Sequence, residues 1–424
     1  MKNIFKATIV FILSLFARAV VRRYRPHIVM VTGSVGKTST KDAIATVLST
    51  RFLVRKSEKS FNSGFGVPFT ILGVDNPWKN PLAWFSIFKR AFVLLFLPNH
   101  YPKMLVLEVG ADQPGDLARI VRIAKPDAVV VTRLPDIPVH VEAYTSPEAV
   151  REEEFSPAYS LHAAAPLIIS ADDPYAIECS LRTPARVLSY GTSDIATVQV
   201  TNIGFYVSQG NVAGMQATVT IQGQHKNLVV RGSVGTAQVL PAAAALTVAL
   251  AFDIPPEAAL TALEGYEPPP GRGRLLTGKN DSIIIDDSYN ASPIAVEQAL
   301  ATLKVFPNKT RRIAVLGDML ELGRYSVSEH ERIAVLAQES ADIIIAVGIR
   351  ARAFALPESN SDVLLFDKAS DAIEALRAMV QSTDVVLIKG SQSIRTEHIV
   401  KALLANPADV VLLVRQEKEW EKKS

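Results

Sequence analysis

The chain has 424 residues, 48% hydrophobic and 21% charged, an ordinary globular balance that excludes a disordered chain and, by its length, a single small module. Lys and Arg number 45 against 42 Asp and Glu, for a net charge of +3, which is too even for a general nucleic-acid footprint, so no nucleic-acid partner is expected. The single cysteine, Cys179, can form no internal disulfide and has no partners for a thiolate metal site; it reads as filler in a protein of the reducing cytoplasm.

At the amino end, Lys2 and Lys6 precede an apolar run, Ala7–Ala17, and Arg18, Arg22, Arg23 and Arg25 follow. The layout matches an export signal superficially, Ala17-Arg18-Ala19 included, but Gly33-Ser34-Val35-Gly36-Lys37-Thr38 beyond it has the form of a phosphate-binding loop, and export would part such a loop from cytosolic ATP. The run is also shorter than the ~20 apolar residues of a spanning helix. Residues 1–25 are expected to form an apolar and basic helix with two open readings: an interfacial helix on anionic lipid, or a helix packed on the body of the protein. Residues 76–102 pose the same choice. There Trp78, Trp84, Phe85, Phe88, Phe92, Leu95 and Phe96 are interleaved with Lys79, Lys89, Arg90 and His100, which suits either a headgroup boundary or a buried helix pair.

Short apolar runs at His27–Val31, Met104–Val109, Ala128–Val131 and Leu167–Ile169 alternate with helix-like segments, predicting a parallel α/β sheet. Between Thr197 and Val230, polar and β-branched residues alternate, with Gly204, Gly210 and Gly223 as punctuation; antiparallel strands inserted in or flanking the first domain are expected. A proline-rich stretch from Pro255 through Pro268, Pro269 and Pro270 to Gly271 marks the boundary between a central ATP-binding domain at 26–268 and a Rossmann-like domain at 269–424. In the second domain, strands are expected at Ile283–Ile285, Ile313–Leu316, Ile343–Val347, Val363–Phe366 and Val385–Ile388, with helices at Ile294–Leu303 and Ala369–Val380. The charged tail Gln416–Ser424 reads as solvated.

The strand His27–Val31 runs into Thr32-Gly33-Ser34-Val35-Gly36-Lys37-Thr38-Ser39-Thr40 and then into helix-forming Lys41–Leu48. Strand, glycine loop and helix in this order predict a phosphate-binding loop. Its backbone N–H groups close around phosphate oxygens, Lys37 reaches the β- and γ-phosphates, and the Thr38 hydroxyl ligates Mg²⁺. Val31 stands where a strict Walker loop has its first glycine, so the shorter form from Gly33 to Thr38 carries the expectation.

This loop resembles the ATP loop of the Mur ligases, the ATP-dependent amide-bond-forming enzymes of peptidoglycan synthesis, and further stretches agree in order. Phe61-Asn62-Ser63-Gly64-Phe65-Gly66-Val67-Pro68 looks like the family's asparagine-glycine-proline loop, and Leu107-Glu108-Val109-Gly110-Ala111 like its acidic strand end. His140-Val141-Glu142 and Ser170-Ala171-Asp172-Asp173-Pro174 follow. In the second domain, Gly271-Arg272-Gly273-Arg274, Asp286-Asp287-Ser288-Tyr289-Asn290-Ala291-Ser292-Pro293, the segment Leu316–Gly323, and Lys389-Gly390-Ser391 are similar to the MurF type.

The resemblance implies an α/β fold: a P-loop central ATPase domain with a parallel sheet, and a carboxy-terminal Rossmann-like domain. It implies a cytoplasmic, monomeric ligase with ATP and Mg²⁺ as cofactors. A muramoyl-peptide carboxylate is phosphorylated, and an amine, D-alanyl-D-alanine or a relative of it, displaces the phosphate. By the same resemblance Thr38 and Glu108 ligate one Mg²⁺, and Glu108 and His140 contribute to a second. Arg272 reaches nucleotide phosphates, Asp287 binds ribose hydroxyls and Asn290 lines the nucleotide. Asn62, Lys389 and Arg395 meet substrate, the two cations at a carboxylate. Taken alone, Glu108 is only a suggestive strand-end carboxylate, His140 reads equally as a satisfied surface histidine, and Lys389 and Arg395 as solvated charges.

Three departures from the family pattern stand out. Glu154, within Arg151-Glu152-Glu153-Glu154, occupies the register of the carbamoylated lysine that holds Mg²⁺ in many Mur ligases; a permanent carboxylate there and a solvated acidic helix face are both open readings. Ala237 and Pro241 replace a histidine and an asparagine near adenine. The nucleotide loop begins at Thr32, which leaves no room ahead of it for the uridine-nucleotide domain of MurF-type enzymes, so a lipid-linked carboxylate reached at the inner face of the membrane is entertained. The alternatives are another ligase of the superfamily, folylpolyglutamate synthase-like or amidating the cell wall, and a catalytically silent nucleotide-binding scaffold at the membrane.

Overall fold

The structure is a computed structural model describing residues 2–58, 61–77, 80–307, 310–356, 361–417 and 420. Trp78 and Lys79, and the side chains of Lys2 and Lys6, lie outside the described residues.

The first sheet comprises β1 (His27–Thr32), β2 (Val54–Lys56), β3 (Met104–Glu108), β4 (Ala128–Val131), β5 (Pro166–Ser170), β6 (Arg186–Gly191), β7 (Val198–Ser208), β8 (Asn211–Ile221) and β9 (Gln224–Arg231). Their order is β2-β3-β1-β4-β5-β6-β7-β8-β9, and all pairs up to β6–β7 are parallel. The central strands are apolar throughout because both their faces are covered. Val29 and Val31 of β1 enter one core while Ile28 and Met30 enter the other, and Met104, Val106 against Leu105, Leu107 of β3 divide in the same way. Strands β7 to β9 are antiparallel. They continue the same sheet and turn at Gln209-Gly210 and Gln222-Gly223, where positive φ at both residues fits two-residue hairpin turns.

Four helices of this half are α1 (Lys2–Tyr24), α2 (Lys37–Leu48), α3 (Gly66–Leu72) and α4 (Pro81–Phe96). Asn80 starts α4 by accepting from the N–H groups of Leu82 and Ala83, with Pro81 in the first turn. Of the two readings for the amino-terminal segment, packing on the body is realised. Leu13, Ala17 and Val20 are fully buried with Ile87, Ala91 and Leu94 of α4 in the core on the far face of the sheet. No helix among the described residues is long and apolar enough to cross a membrane. The helix Thr236–Ala251 covers the other face; Ala242–Ala245 are wholly buried, and such small residues permit close approach to α2.

The second sheet comprises β10 (Arg274–Thr277), β11 (Ile283–Asp287), β12 (Arg311–Gly317), β13 (Ile343–Val347), β14 (Asp362–Phe366) and β15 (Asp384–Lys389) in the order β10-β11-β15-β12-β13-β14. All pairs are parallel except the edge pair β10–β11. Among the described residues of the tail, Trp420 departs from expectation: it is half-buried and lines the cleft between the two sheets, and its carbonyl accepts from Arg395.

Candidate active site

Parallel sheets gather functional groups at the carboxyl ends of their strands. In the first sheet, β1 delivers the glycine loop and its neighbour β3 ends at Glu108, paired in register with Val31. In the second, β11 and β15 end side by side, with Asp287 in register with Lys389. A cleft of about 780 Å³ lies between these ends.

The loop is built to receive an anion. Gly33 has φ +114° and Gly36 +86°, conformations that side chains oppose. A Cβ on Gly33 would sit 2.3 Å from the Thr132 hydroxyl. Gly36 starts α2 without any side-chain cap, which leaves the first N–H groups of the helix directed at the cleft. Ser34, Val35, Gly36, Lys37 and Thr38 line that cleft together with Asn62, whose carbonyl accepts from the Gly110 N–H at 3.0 Å. Ser39 faces a smaller slot. The Lys37 ammonium donates to the Gly33 carbonyl and lies 3.9 Å from Glu154.

Two buried carboxylates flank the loop. The Thr38 hydroxyl donates to Glu108 Oε1 at 3.2 Å, while Oε2 of Glu108 is buried with no hydrogen-bond partner. Burial drives the Glu108 carboxyl above its usual range, against the pull of Lys41, Lys37 and Arg272. Glu154 is likewise buried and raised, opposed by Lys37 and by the Ser34 hydroxyl that donates to it. Its position is set by the helix Pro147–Phe155, capped by Ser146; Glu152, on the same helix, pairs instead with Arg182 and Tyr159. Of the two open readings for this acidic run, Glu154 is therefore the member that faces the loop. An orphaned carboxylate oxygen beside a loop threonine is a donor set that fits Mg²⁺, which takes one or two carboxylates and keeps waters and phosphate oxygens for the rest. His140, at φ +65°, stands apart, with Nδ1 3.2 Å from Glu321 and Nε2 3.6 Å from Asp112. Among the described residues no three His, Cys, Asp or Glu side chains converge as a complete metal cage.

The opposite wall comes from the second domain. Arg272 stacks 4.0 Å over the Tyr289 ring and lines both the cleft and the slot. Asn290 and Arg395 line the cleft, the Arg395 guanidinium donating to Glu397 at 2.5 Å. Lys389 is placed differently from the expected carboxylate contact: fully buried, it donates to Asp287 at 2.6 Å and to the Asn290 carbonyl at 3.0 Å, on the slot side. Burial lowers its pKa, against the pull of Asp287. The slot, about 50 Å³, runs from Gly36 past Ala237 to Asp287.

The Mur ligase middle domain family matches residues 31–249, and the Mur ligase glutamate ligase domain family matches residues 271–392. The chain belongs to the Mur ligase family. It is 29% identical to the UDP-N-acetylmuramoyl-tripeptide–D-alanyl-D-alanine ligase of Bacillus subtilis over 405 residues, covering 92% of this chain and 79% of the relative. The Mycobacterium tuberculosis enzyme of the same name is also 29% identical, over 89% of this chain and 73% of its own. Among solved structures, MurF ligase from Thermotoga maritima in complex with ADP superposes with a TM-score of 0.77 at 24% identity, over 98% of this chain and 85% of that one. Folylpolyglutamate synthase from Mycobacterium tuberculosis, also with ADP, shares the fold at a TM-score of 0.65 and 15% identity, over 96% and 95%. This Mur ligase is an ATP-dependent enzyme that forms carbon–nitrogen bonds, with Mg²⁺ as the usual ion.

Sequence reasoning missed several residues of the ligase. Gln238 and Gln298 line the slot, and each carries a buried side-chain oxygen without a partner. Gln298 lies on the helix Pro293–Lys304, where nothing in the sequence sets it apart. Lys41, one helical turn beyond Lys37, is wholly buried, donates to the Ser57 carbonyl at 2.6 Å and acts on Glu108. Glu321 was legible as part of a motif but not as the partner of His140 across the cleft.

Proposed function

We propose that this ligase joins D-alanyl-D-alanine, or a closely related amine, to the terminal carboxylate of a muramoyl peptide, working as a monomer in the cytoplasm. The observation that carries the reading is the cleft itself: an uncapped helix start with Lys37 and Thr38, and the orphaned oxygen of Glu108, face Arg272, Asn290 and Arg395 on the other domain. The names of the relatives supply the substrates.

In the proposed reaction, a carboxylate oxygen attacks the γ-phosphorus of ATP and ADP leaves. The amine then attacks the acyl carbon, phosphate departs with the activating oxygen, and the amine nitrogen loses a proton. Lys37 and the N–H groups of Gly33–Ser39 hold the phosphates in line, and Arg272 adds positive charge from the second domain. Thr38, Glu108, Glu154 and His140 are the residues proposed to hold Mg²⁺, which when bound neutralises phosphate charge. Asp287, oriented by Lys389, takes the ribose hydroxyls, and Gln238 and Gln298 accept from the nucleobase once the slot between them widens to admit it. Asn62 and Arg395 position the acceptor carboxylate. The His140–Glu321 contact and the packing of Gly323 against Glu142 join the domains in the closed arrangement that the reaction needs.

The test is product formation from ATP, UDP-N-acetylmuramoyl-tripeptide and D-alanyl-D-alanine, read by mass spectrometry with each component omitted in turn. A pentapeptide product that requires all three supports the reading; ATP turnover without product on these substrates, with product on another carboxylate and amine, overturns the substrate assignment.

A further inference from the structure

Helices α1 and α4 lie side by side and run in the same direction. Phe16 meets Phe88 edge-on at 6.1 Å, and further along Tyr24 donates to the Leu94 carbonyl at 2.8 Å. Each helix spends its inner face on the core. Each also leaves the opposite stripe outside: Phe11, Leu15, Arg18 and Arg22 on α1, and Leu82, Phe85, Lys89, Phe92 and Phe96 on α4. Phe85 is 70% exposed, Phe96 64% and Phe11 63%, and the rings of Phe92 and Phe96 touch at 4.6 Å. Scattered exposed apolar residues need no explanation, but a helical stripe of three phenylalanines on α4 beside exposed Phe11 and Leu15 on α1 does.

Charge identifies the occupant. Neither helix carries an aspartate or glutamate, while Arg18, Arg22 and Lys89 are exposed within the stripes and Arg25 and His100 are exposed just beyond the helix ends. Two copies of this face would bring cation against cation, so a second copy of the chain fits poorly. An anionic bilayer fits both features, its headgroups taking the cations and its acyl boundary the rings. With Lys89 inside its apolar stripe, α4 is suited to lie in the interface, not to cross it.

We propose that the exposed face of α1 and α4 seats the enzyme on an anionic lipid bilayer. The seat adjoins the acceptor side of the cleft: α1 packs on α3, and Val10 reaches within 3.8 Å of where a side chain on Gly64 would begin, in the loop that carries Asn62. Lipid contact and the substrate loop therefore share a packing partner. That consequence rests on the ligase reading proposed above, whereas the docking does not.

The experiment is flotation of the full chain with vesicles of phosphatidylglycerol and phosphatidylcholine, and with phosphatidylcholine alone, at low and high salt. Phe85→Glu/Phe92→Glu is compared with the parent, and ligation of soluble substrates by both proteins is measured in parallel. Flotation with the anionic vesicles is expected, falling about tenfold or more on phosphatidylcholine, at high salt and in the double variant, with soluble ligation retained. Absence of flotation on anionic vesicles at low salt, or equal flotation of the variant, overturns the proposal. So does lipid-independent self-association that the variant abolishes, which would make a second copy the occupant. Loss of soluble ligation in the parent protein would instead count against the ligase reading alone.

Discussion

Glu154→Gln separates a working carboxylate from a solvated helix face. The amide keeps the shape and can still accept from Ser34, but it removes the charge that faces Lys37 at 3.9 Å. Hydrogen bonds to charged groups contribute about 1.5–3 kcal/mol and neutral ones about 0.5–1.5, so the substitution forfeits about 1–1.5 kcal/mol of local interaction. Burial opposes the charge in the free protein, and removing it recovers a comparable desolvation cost; the melting temperature is expected to hold or rise. If the carboxylate helps to hold Mg²⁺, the concentration giving half-maximal activity rises about tenfold, one decade per ~1.4 kcal/mol. The assay is a Mg²⁺ titration of ATP-dependent phosphate release beside Glu152→Gln, whose carboxylate serves Arg182 and Tyr159 outside the cleft. Superimposable titrations for the two variants would refute the reasoning.

Gly33→Ala drives a methyl group against Thr132 at a φ of +114°; strain of about 1–3 kcal/mol is expected to lower ATP affinity about tenfold or more by calorimetry, and parent-like affinity would remove the loop from the nucleotide site. Gln238→Leu and Gln298→Leu are expected to raise KM for ATP about tenfold with kcat retained, and to leave the free protein as stable or more so because an unpaired buried oxygen is lost; unchanged KM values would show that the slot does not read the base. Burial lifts the Asp286 carboxyl to about 6, against about 3.9 in an unfolded chain. The folded state therefore holds the extra proton between those values, so stability falls as pH rises through about 4 to 6 and stays lowered above. Asp286→Asn, which keeps the acceptor for Ser288, is expected to flatten that slope, read by thermal melts across the range; a parallel slope in both proteins would contradict it.

The glycine loop was legible because its signals are local: an apolar strand, two glycines that alone tolerate the backbone, and a helix without a cap. The central strands were equally plain, since burial on both faces makes them continuously apolar. Glu154 was marked out only by its register in the family resemblance, because three successive glutamates look alike and the contact that separates them, with Ser34, is 120 positions away. Lys389 was expected at a substrate carboxylate, with a solvated charge as its plain reading, yet β15 is buried along its whole length and pairs Asp287 beside it. For α1 and α4 the sequence supported both a packed and an interfacial helix, and the structure shows why: each helix has an inner stripe that packs and an outer stripe that does not.

The most direct test of the central claim follows the oxygen. The acceptor carboxylate is labelled with ¹⁸O, the complete reaction is run with ATP, Mg²⁺ and amine, and the released phosphate is weighed by mass spectrometry. Activation of that carboxylate by ATP in the cleft requires transfer of one labelled oxygen to each phosphate released, with none when Lys37→Ala replaces the parent. Unlabelled phosphate from the active parent enzyme would mean that ATP is hydrolysed without activating the carboxylate, and the ligase mechanism assigned to this cleft would be wrong.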